Sequence, residues 1–234
     1  MTDNLNKYNF LFLDIETVPQ YASYHELPRA FMALWDHKSE RIKQPDYDTP
    51  EKLYERAGIY AEFGKIICIS TGFFHNDKFR IKSFAGSDEK LLLEDFATML
   101  DKDSFRMNYK LCAHNGKEFD FPYLARRMLI NKVKLPGLLN ISGKKPWEIP
   151  HLDTMEMWRF GDYKSYTSLE LLSHVFGIPT PKDDIKGSDV ARVYWQENDL
   201  ERIVRYCEKD VITIARLFQC YLGEETVKDE NIIS

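Results

Sequence analysis

Three short stretches of this sequence carry residues that could do chemistry. In residues 10–17 (FLFLDIET), Asp14 and Glu16 stand two apart. Side chains alternate faces along a strand, so these carboxylates point the same way, about 6.6 Å apart. Two anions on one face of an otherwise apolar strand repel each other unless a cation lies between them. The pair alone is weakly informative, because about 1.5 Asp-x-Glu matches arise by chance in a chain with this many acids. Asp199-Leu-Glu201 is a second match, and it reads as a helix N-terminus, where acids are favourable. The next stretch, residues 113–120 (AHNGKEFD), sets Asn115, Phe119 and Asp120 at the passage from a strand into a helix. The last, residues 206–210 (YCEKD), puts Tyr206 and Asp210 four apart, on one face of a helix. About one Tyr-x-x-x-Asp is expected by chance, and there is one. Each stretch alone also has an ordinary reading as a helix-start or solvated acid.

The elements that must position these residues are legible as patterns. Residues 9–14 form an apolar run dense enough for a central strand. Residues 65–74 and 78–85 are β-rich and separated by His75-Asn-Asp77, which predicts an antiparallel hairpin. Ser87 is placed to cap a helix with Leu91, Leu92, Phe96 and Leu100 facing inward. A strand over 109–113 ends at the turn-forming Asn115-Gly116, and a helix follows over about 119–130. Residues 167–170 (TSLE) are a capping box opening a helix that stops at Gly177. A long helix spans about 199–222, its apolar residues recurring at three- and four-residue steps. Early strands and late helices give an α/β class with a mixed sheet. Residues 19–63 are too long for a plain connection and hold a helical pattern over 28–38, so they read as an insertion within a single domain of residues 1–234.

Composition bounds the partners. With 234 residues, 44% hydrophobic and 29% charged, the chain is neither collagen-like nor disordered. No apolar run approaches the roughly 20 residues that cross a bilayer, and the polar start lacks the pattern of a signal peptide. Cys68, Cys112, Cys207 and Cys220 are scattered without CxxC spacing, which predicts buried thiols and a cytoplasmic, reduced protein. The net charge of −5 argues at first sight against nucleic acid, which selects basic surfaces.

In order and context, the three stretches resemble the motifs of the DEDD exonuclease superfamily. Tyr206 marks its tyrosine branch; the histidine branch would need His at 205, where Arg205 stands. The wording FLDIETVP, HNGKEFDFPYL and YCEKDVITIARL is most similar to the proofreading exonuclease domain of family-B DNA polymerases and their stand-alone relatives. Polymerising domains would need many hundreds of further residues, so the chain resembles a stand-alone relative. The resemblance implies a ribonuclease H-like fold with a mixed five-stranded sheet flanked by helices. It implies a metal-dependent 3′–5′ exonuclease acting on nucleic-acid 3′ ends, single-stranded DNA first, by a two-metal mechanism. Asp14, Glu16, Asp120 and Asp210 would hold two divalent cations, Mg²⁺ or Mn²⁺. Asp14 would bridge both, Glu16 and Asp210 would complete one site, and Asp120 would reach the other through water. Tyr206 would orient the attacking water, and Thr17, Asn115 and Phe119 would grip the terminal nucleotide. An exoribonuclease with the same chemistry and a non-catalytic nucleic-acid-binding module on the same fold are the alternatives.

Other residues invite plainer readings. Arg29, Phe31, Trp35, Lys38, Arg41 and Lys43 interleave basic and aromatic side chains as a strand-binding surface does. The simpler expectation is an amphipathic helix packing Phe31, Leu34 and Trp35 on the sheet. Arg126, Arg127 and residues 144–147 (KKPW) are expected in solvent, His114 as a structural histidine, and Asp153 as an ordinary strand ending. On the resemblance, four acids belong to one site, and two bound dications would bring the balance of −5 to about −1. The acidity therefore does not exclude a nucleic-acid substrate.

Overall fold

The structure, a computed structural model, describes residues 5–43, 49–103, 105, 109–162, 164–179 and 185–234. Residues 44–48 of the insertion lie outside the described residues. The apolar run becomes β1 (Phe10–Pro19), buried on both faces. Phe10 and Phe12 join one core, and Leu11, Leu13 and Ile15 join the other. Around it lie β2 (Gly64–His75), β3 (Lys78–Ala85), β4 (Lys110–Ala113), β5 (Leu152–Asp153) and β6 (Ile232–Ile233), in the order β5-β4-β1-β2-β3-β6. The β1–β2 and β2–β3 pairs are antiparallel, and β4, β5 and β6 join in parallel.

Among the described residues the sheet has six strands, where five were expected. Its sixth is a two-residue bridge with no period to read. Arg216 draws it in by donating to Val227 O at 3.0 Å and pairing with Asp229 at 2.5 Å. β1 also runs further than the 9–14 pattern, so Asp14 and Glu16 sit within the strand, opposite Ser70 and Cys68.

Among the described residues, the helices include α1 (Arg29–Ile42), α2 (Pro50–Tyr54), α3 (Glu89–Leu100), α4 (Asp120–Ile130), α5 (Thr154–Arg159), α6 (Leu169–Val175), α7 (Val190–Arg192, continued by a π-turn Val193–Glu197) and α8 (Leu200–Leu222). α3 and α4 cover one face of the sheet through Phe96, Leu100, Phe121 and Leu124. α8 covers the other through Val211, Ile214 and Phe218.

Local chemistry corrects several expectations. Asp88, not Ser87, caps α3 by accepting the Leu91 N–H at 3.1 Å. The inward stripe is then Leu92, Leu93, Phe96 and Leu100, and Leu91 is exposed. Ser168, not Thr167, caps α6. On α1, Trp35 is buried against Tyr54 and Phe63 in a local core with Leu27 and Leu53, not against the sheet. Phe31 and Leu34 remain exposed. Arg127 is not in solvent: it is buried and forms a forked pair with Glu89, at 2.8 and 2.5 Å, while donating to Ala61 O at 2.8 Å. Arg126 and Trp147 are exposed as expected.

The end of residues 19–63 is locked onto β1. A Cβ at Gly58 would lie 2.9 Å from the Val18 carbonyl carbon, and one at Gly64 would lie 2.3 Å from the Tyr123 hydroxyl. Only glycine permits backbone and ring to approach this closely.

Candidate active site

The first two acids owe their geometry to a β-bulge. Pairing of β1 with β2 shifts register between Glu16 and Thr17, with Glu16 opposite Cys68 and Thr17 opposite Ile66. Ile67 is the extra residue, and bulges of this kind re-aim side chains beside sites. Glu16 is buried and Asp14 partly exposed. The Cys207 thiol of α8 lies 3.4 Å from Asp14 Oδ2 and 3.4 Å from its backbone carbonyl, and donates there.

The third acid is set by a turn. Asn115 takes a left-handed φ of +64° at the end of β4. Asp153 holds that turn, accepting the N–H groups of Asn115 at 2.9 Å and Lys117 at 3.1 Å. It also caps α5 through Met155 and Glu156, at 3.0 and 3.2 Å. α4 then opens at Asp120, whose buried carboxylate accepts from its own N–H and from that of Ile15 on β1. The fourth acid, Asp210, shares a face of α8 with Tyr206 one turn earlier, and the Tyr206 hydroxyl donates to it.

These groups feel one another. Burial first, and then the charges of Glu16, Asp210 and Asp120, push Asp14 well above the ordinary carboxylate range. Burial likewise raises Glu16, with Asp210, Cys68 and Asp120 adding to it. Asp120 is pushed up to about 7, chiefly by burial; its own N–H opposes this, Asp153 adds to it, the Ile15 N–H opposes, and Asp210 adds. Tyr206 is raised by burial and then by Asp210, Glu16 and Asp14. The four acids and the phenol predicted from sequence are thus one electrostatic cluster.

The softer predictions fare differently. Thr17 donates its hydroxyl to Tyr123, which in turn donates to Gly58 O at 2.6 Å, so that hydroxyl braces the fold. Phe119 lies partly buried, its ring 5.3 Å from that of Tyr123. Asn115 Oδ1 is buried with no hydrogen-bond partner among the described residues. His114 is structural, bonded to Thr154 Oγ1 and Thr167 O, both at 2.9 Å.

Sequence reasoning missed Cys207, which reads as a small core residue and is buried as one. Its position between Tyr206 and Asp210 was the available signal. Burial, then Cys68, raise its thiol well above the ordinary value, so it stays protonated and orients Asp14.

Comparison with known proteins gives these residues a context. Residues 59–230, about three quarters of the chain, match a family described as a predicted 3′–5′ exonuclease related to the exonuclease domain of PolB. The chain belongs to this exonuclease family. The matched region holds the 113–120 turn, Tyr206 and Asp210, and begins after Asp14 and Glu16. Among solved structures, the family B DNA polymerase of the hyperthermophilic archaeon Pyrobaculum calidifontis is similar with a TM-score of 0.56 and 16% identity. The similarity covers 92% of this chain and 24% of that one, so the chain spans about a quarter of the polymerase. At that identity the likeness speaks for fold, and the mixed sheet flanked by helices is ribonuclease H-like. No curated protein matches the chain.

Exonuclease domains of this kind work with divalent metals, and the donor set here fits them. Ligand atoms of Asp14, Glu16 and Cys207 lie within 4.8 Å of one another. With the thiol protonated, the available ligands are carboxylate oxygens, the choice of a hard dication.

Proposed function

We propose that this exonuclease removes nucleotides from 3′ ends, single-stranded DNA first, at the site formed by Asp14, Glu16, Asp120, Tyr206 and Asp210. The observation that supports this most is the mutual electrostatic reach of four acids from three distant parts of the chain. A module that only held nucleic acid would have no use for clustered anions facing a phosphate. Asp14, Glu16, Asp120 and Asp210 would hold two divalent cations, Mg²⁺ or Mn²⁺, whose chemistry is to activate water and stabilise the departing 3′ oxygen.

The chain's own groups do the rest. Cys207 fixes Asp14 by hydrogen bonding to its Oδ2. The Ile15 N–H fixes Asp120 against β1. Tyr206 keeps its proton at neutral pH because its acidity is weakened by burial and by the acids around it. It therefore acts as a hydrogen-bonding group: its O–H donates to Asp210, and its oxygen can accept from and orient a water. It does not act as a base. Asn115, whose Oδ1 has no partner among the described residues, would supply an acceptor for the terminal nucleotide, and Phe119 a ring edge. The proposed location is the cytosol, where the buried thiols Cys68, Cys112 and Cys207 stay reduced.

The test gives purified protein 3′-tailed DNA and RNA oligonucleotides with Mg²⁺, Mn²⁺ or EDTA. Shortening from the 3′ end that needs metal, and is lost in Asp14→Ala and Asp210→Ala, is the expected result. Cleavage that persists in EDTA would sink the metal-dependent reading. Faster loss of RNA than DNA would transfer the function to an exoribonuclease, and binding without shortening would leave only a binding module.

A further inference from the structure

One loop beside the site carries two large rings in water for no structural return. It joins α5 to α6. Phe160 is 91% exposed and Tyr166 68% exposed. Phe160 closes α5 in the left-handed region, with φ 44° and ψ 35°, a conformation that glycine adopts readily and phenylalanine at a cost. Burial would normally compensate such a residue, and here there is none.

The loop's described residues are nonetheless tied together. Arg159 Nε donates to Ser165 O at 3.0 Å, and the Lys164 N–H donates to Asp162 Oδ1 at 3.2 Å. It is also fastened to the turn that presents Asn115, Phe119 and Asp120. His114 Nε2 bonds to Thr167 O at 2.9 Å, and Arg159 pairs with Glu118 at 3.5 Å, two residues before Asp120. A clamp from Asp153 fixes the same turn from below.

We propose that Phe160 and Tyr166 form a stacking lip that holds the bases of single-stranded nucleic acid leading to the carboxylate site. This rests on the exonuclease reading above and extends it to the strand beyond the terminal nucleotide. Charge favours stacking over phosphate contact here. The chain is acidic overall, and two neighbouring cations are already paired, Arg159 with Glu118 and Lys117 with Glu156. Exposed aromatic faces offer a grip that does not depend on those cations, and they accept any base, as consumption of arbitrary 3′ ends requires.

The test measures binding of a 5′-fluorescein oligo(dT) by anisotropy in an Asp14→Ala background, which holds the strand without shortening it. Phe160→Ala and Tyr166→Ala are each expected to raise Kd by about 5- to 150-fold, the measured worth of one base–aromatic stack. Phe160→Trp is expected to retain tight binding. Phe160→Gly separates this role from a structural one. Glycine relieves the left-handed backbone, so the thermal midpoint is expected to hold or rise while strand affinity falls. A double alanine variant that binds within about twofold of its parent, by the same ΔG = RT ln Kd arithmetic, overturns the lip even if wild-type protein shortens oligonucleotides. If the parent binds no strand and the wild type shortens none, the exonuclease reading itself fails and takes the lip with it.

Discussion

Asp120 has two backbone N–H groups on its carboxylate and is still pushed up to about 7, because burial outweighs those bonds. A carboxyl raised above its unfolded value contributes stability that is complete below the ordinary carboxylate range and is lost as pH rises through the folded value. The Asp120 contribution to the stability of metal-free protein should therefore fall between about pH 4 and pH 8. Mg²⁺ or Mn²⁺ should restore it at the upper end, and Asp120→Asn should flatten the slope. Calorimetric scans of EDTA-treated wild type and Asp120→Asn at stepped pH check this, and midpoints that run parallel across that range would contradict it. Tyr206→Phe removes one oriented hydroxyl and no ligand. It should cost about 10- to 100-fold in turnover while leaving the metal-induced rise in midpoint intact. At this scale the five candidate site residues could be named from sequence because three spaced motifs fell in a recognisable order, and the fold brings them within electrostatic reach of one another. Cys207 and Asp153 were not legible in their roles. A thiol in an apolar stripe looks like packing, and a strand-end acid shows nothing of the two segments whose N–H groups it collects.

Among the elements, α4 carries the most leverage on the site, because Asp120 opens it and Arg127 anchors its far half. The Glu89–Arg127 pair is buried and further satisfied by the Ile66 N–H at 2.7 Å and by Asn131 at 3.0 Å. Removing one partner strands the other, so Glu89→Ala or Arg127→Ala should each cost about 3–5 kcal/mol in urea unfolding. The Glu89→Met, Arg127→Met double variant should cost less than either. Equal losses from all three would contradict the pair's desolvation logic. The hairpin, α4 and α8 were readable from local period and caps. The burial of Arg127 was not, since its partner lies 38 residues away in α3. β6 was invisible for a related reason: two residues have no pattern, and their pairing depends on a side chain from α8. The packing of Trp35 on its own small cluster, away from the sheet, is likewise set by residues of α2 and the 57–63 segment that no helical wheel contains.

Over the whole molecule, the charge of −5 and the acid cluster make a specific demand on binding. Phosphates approaching a metal-free site meet anions, so neutralising those anions should help binding as it destroys cleavage. An Asp14→Asn, Asp210→Asn double variant is expected to bind an oligonucleotide in EDTA more tightly than wild type does. Anisotropy titrations at low salt check this, and tighter wild-type binding would oppose it. Chain order adds a consequence in time. Asp14 lies on the first strand and Asp210 on the last long helix, and Cys207 of that helix hydrogen-bonds across to Asp14. During synthesis the sheet's first hairpin can form early, whereas contacts between segments so distant in sequence come late. On the proposed site, until α8 has left the ribosome a nascent chain carries three of the four carboxylates and lacks Asp210 and Tyr206. If the proposed site is the catalytic one, such a chain should not cleave the messenger or any other polymer beside it, and the activity would be switched on only by the last step of folding.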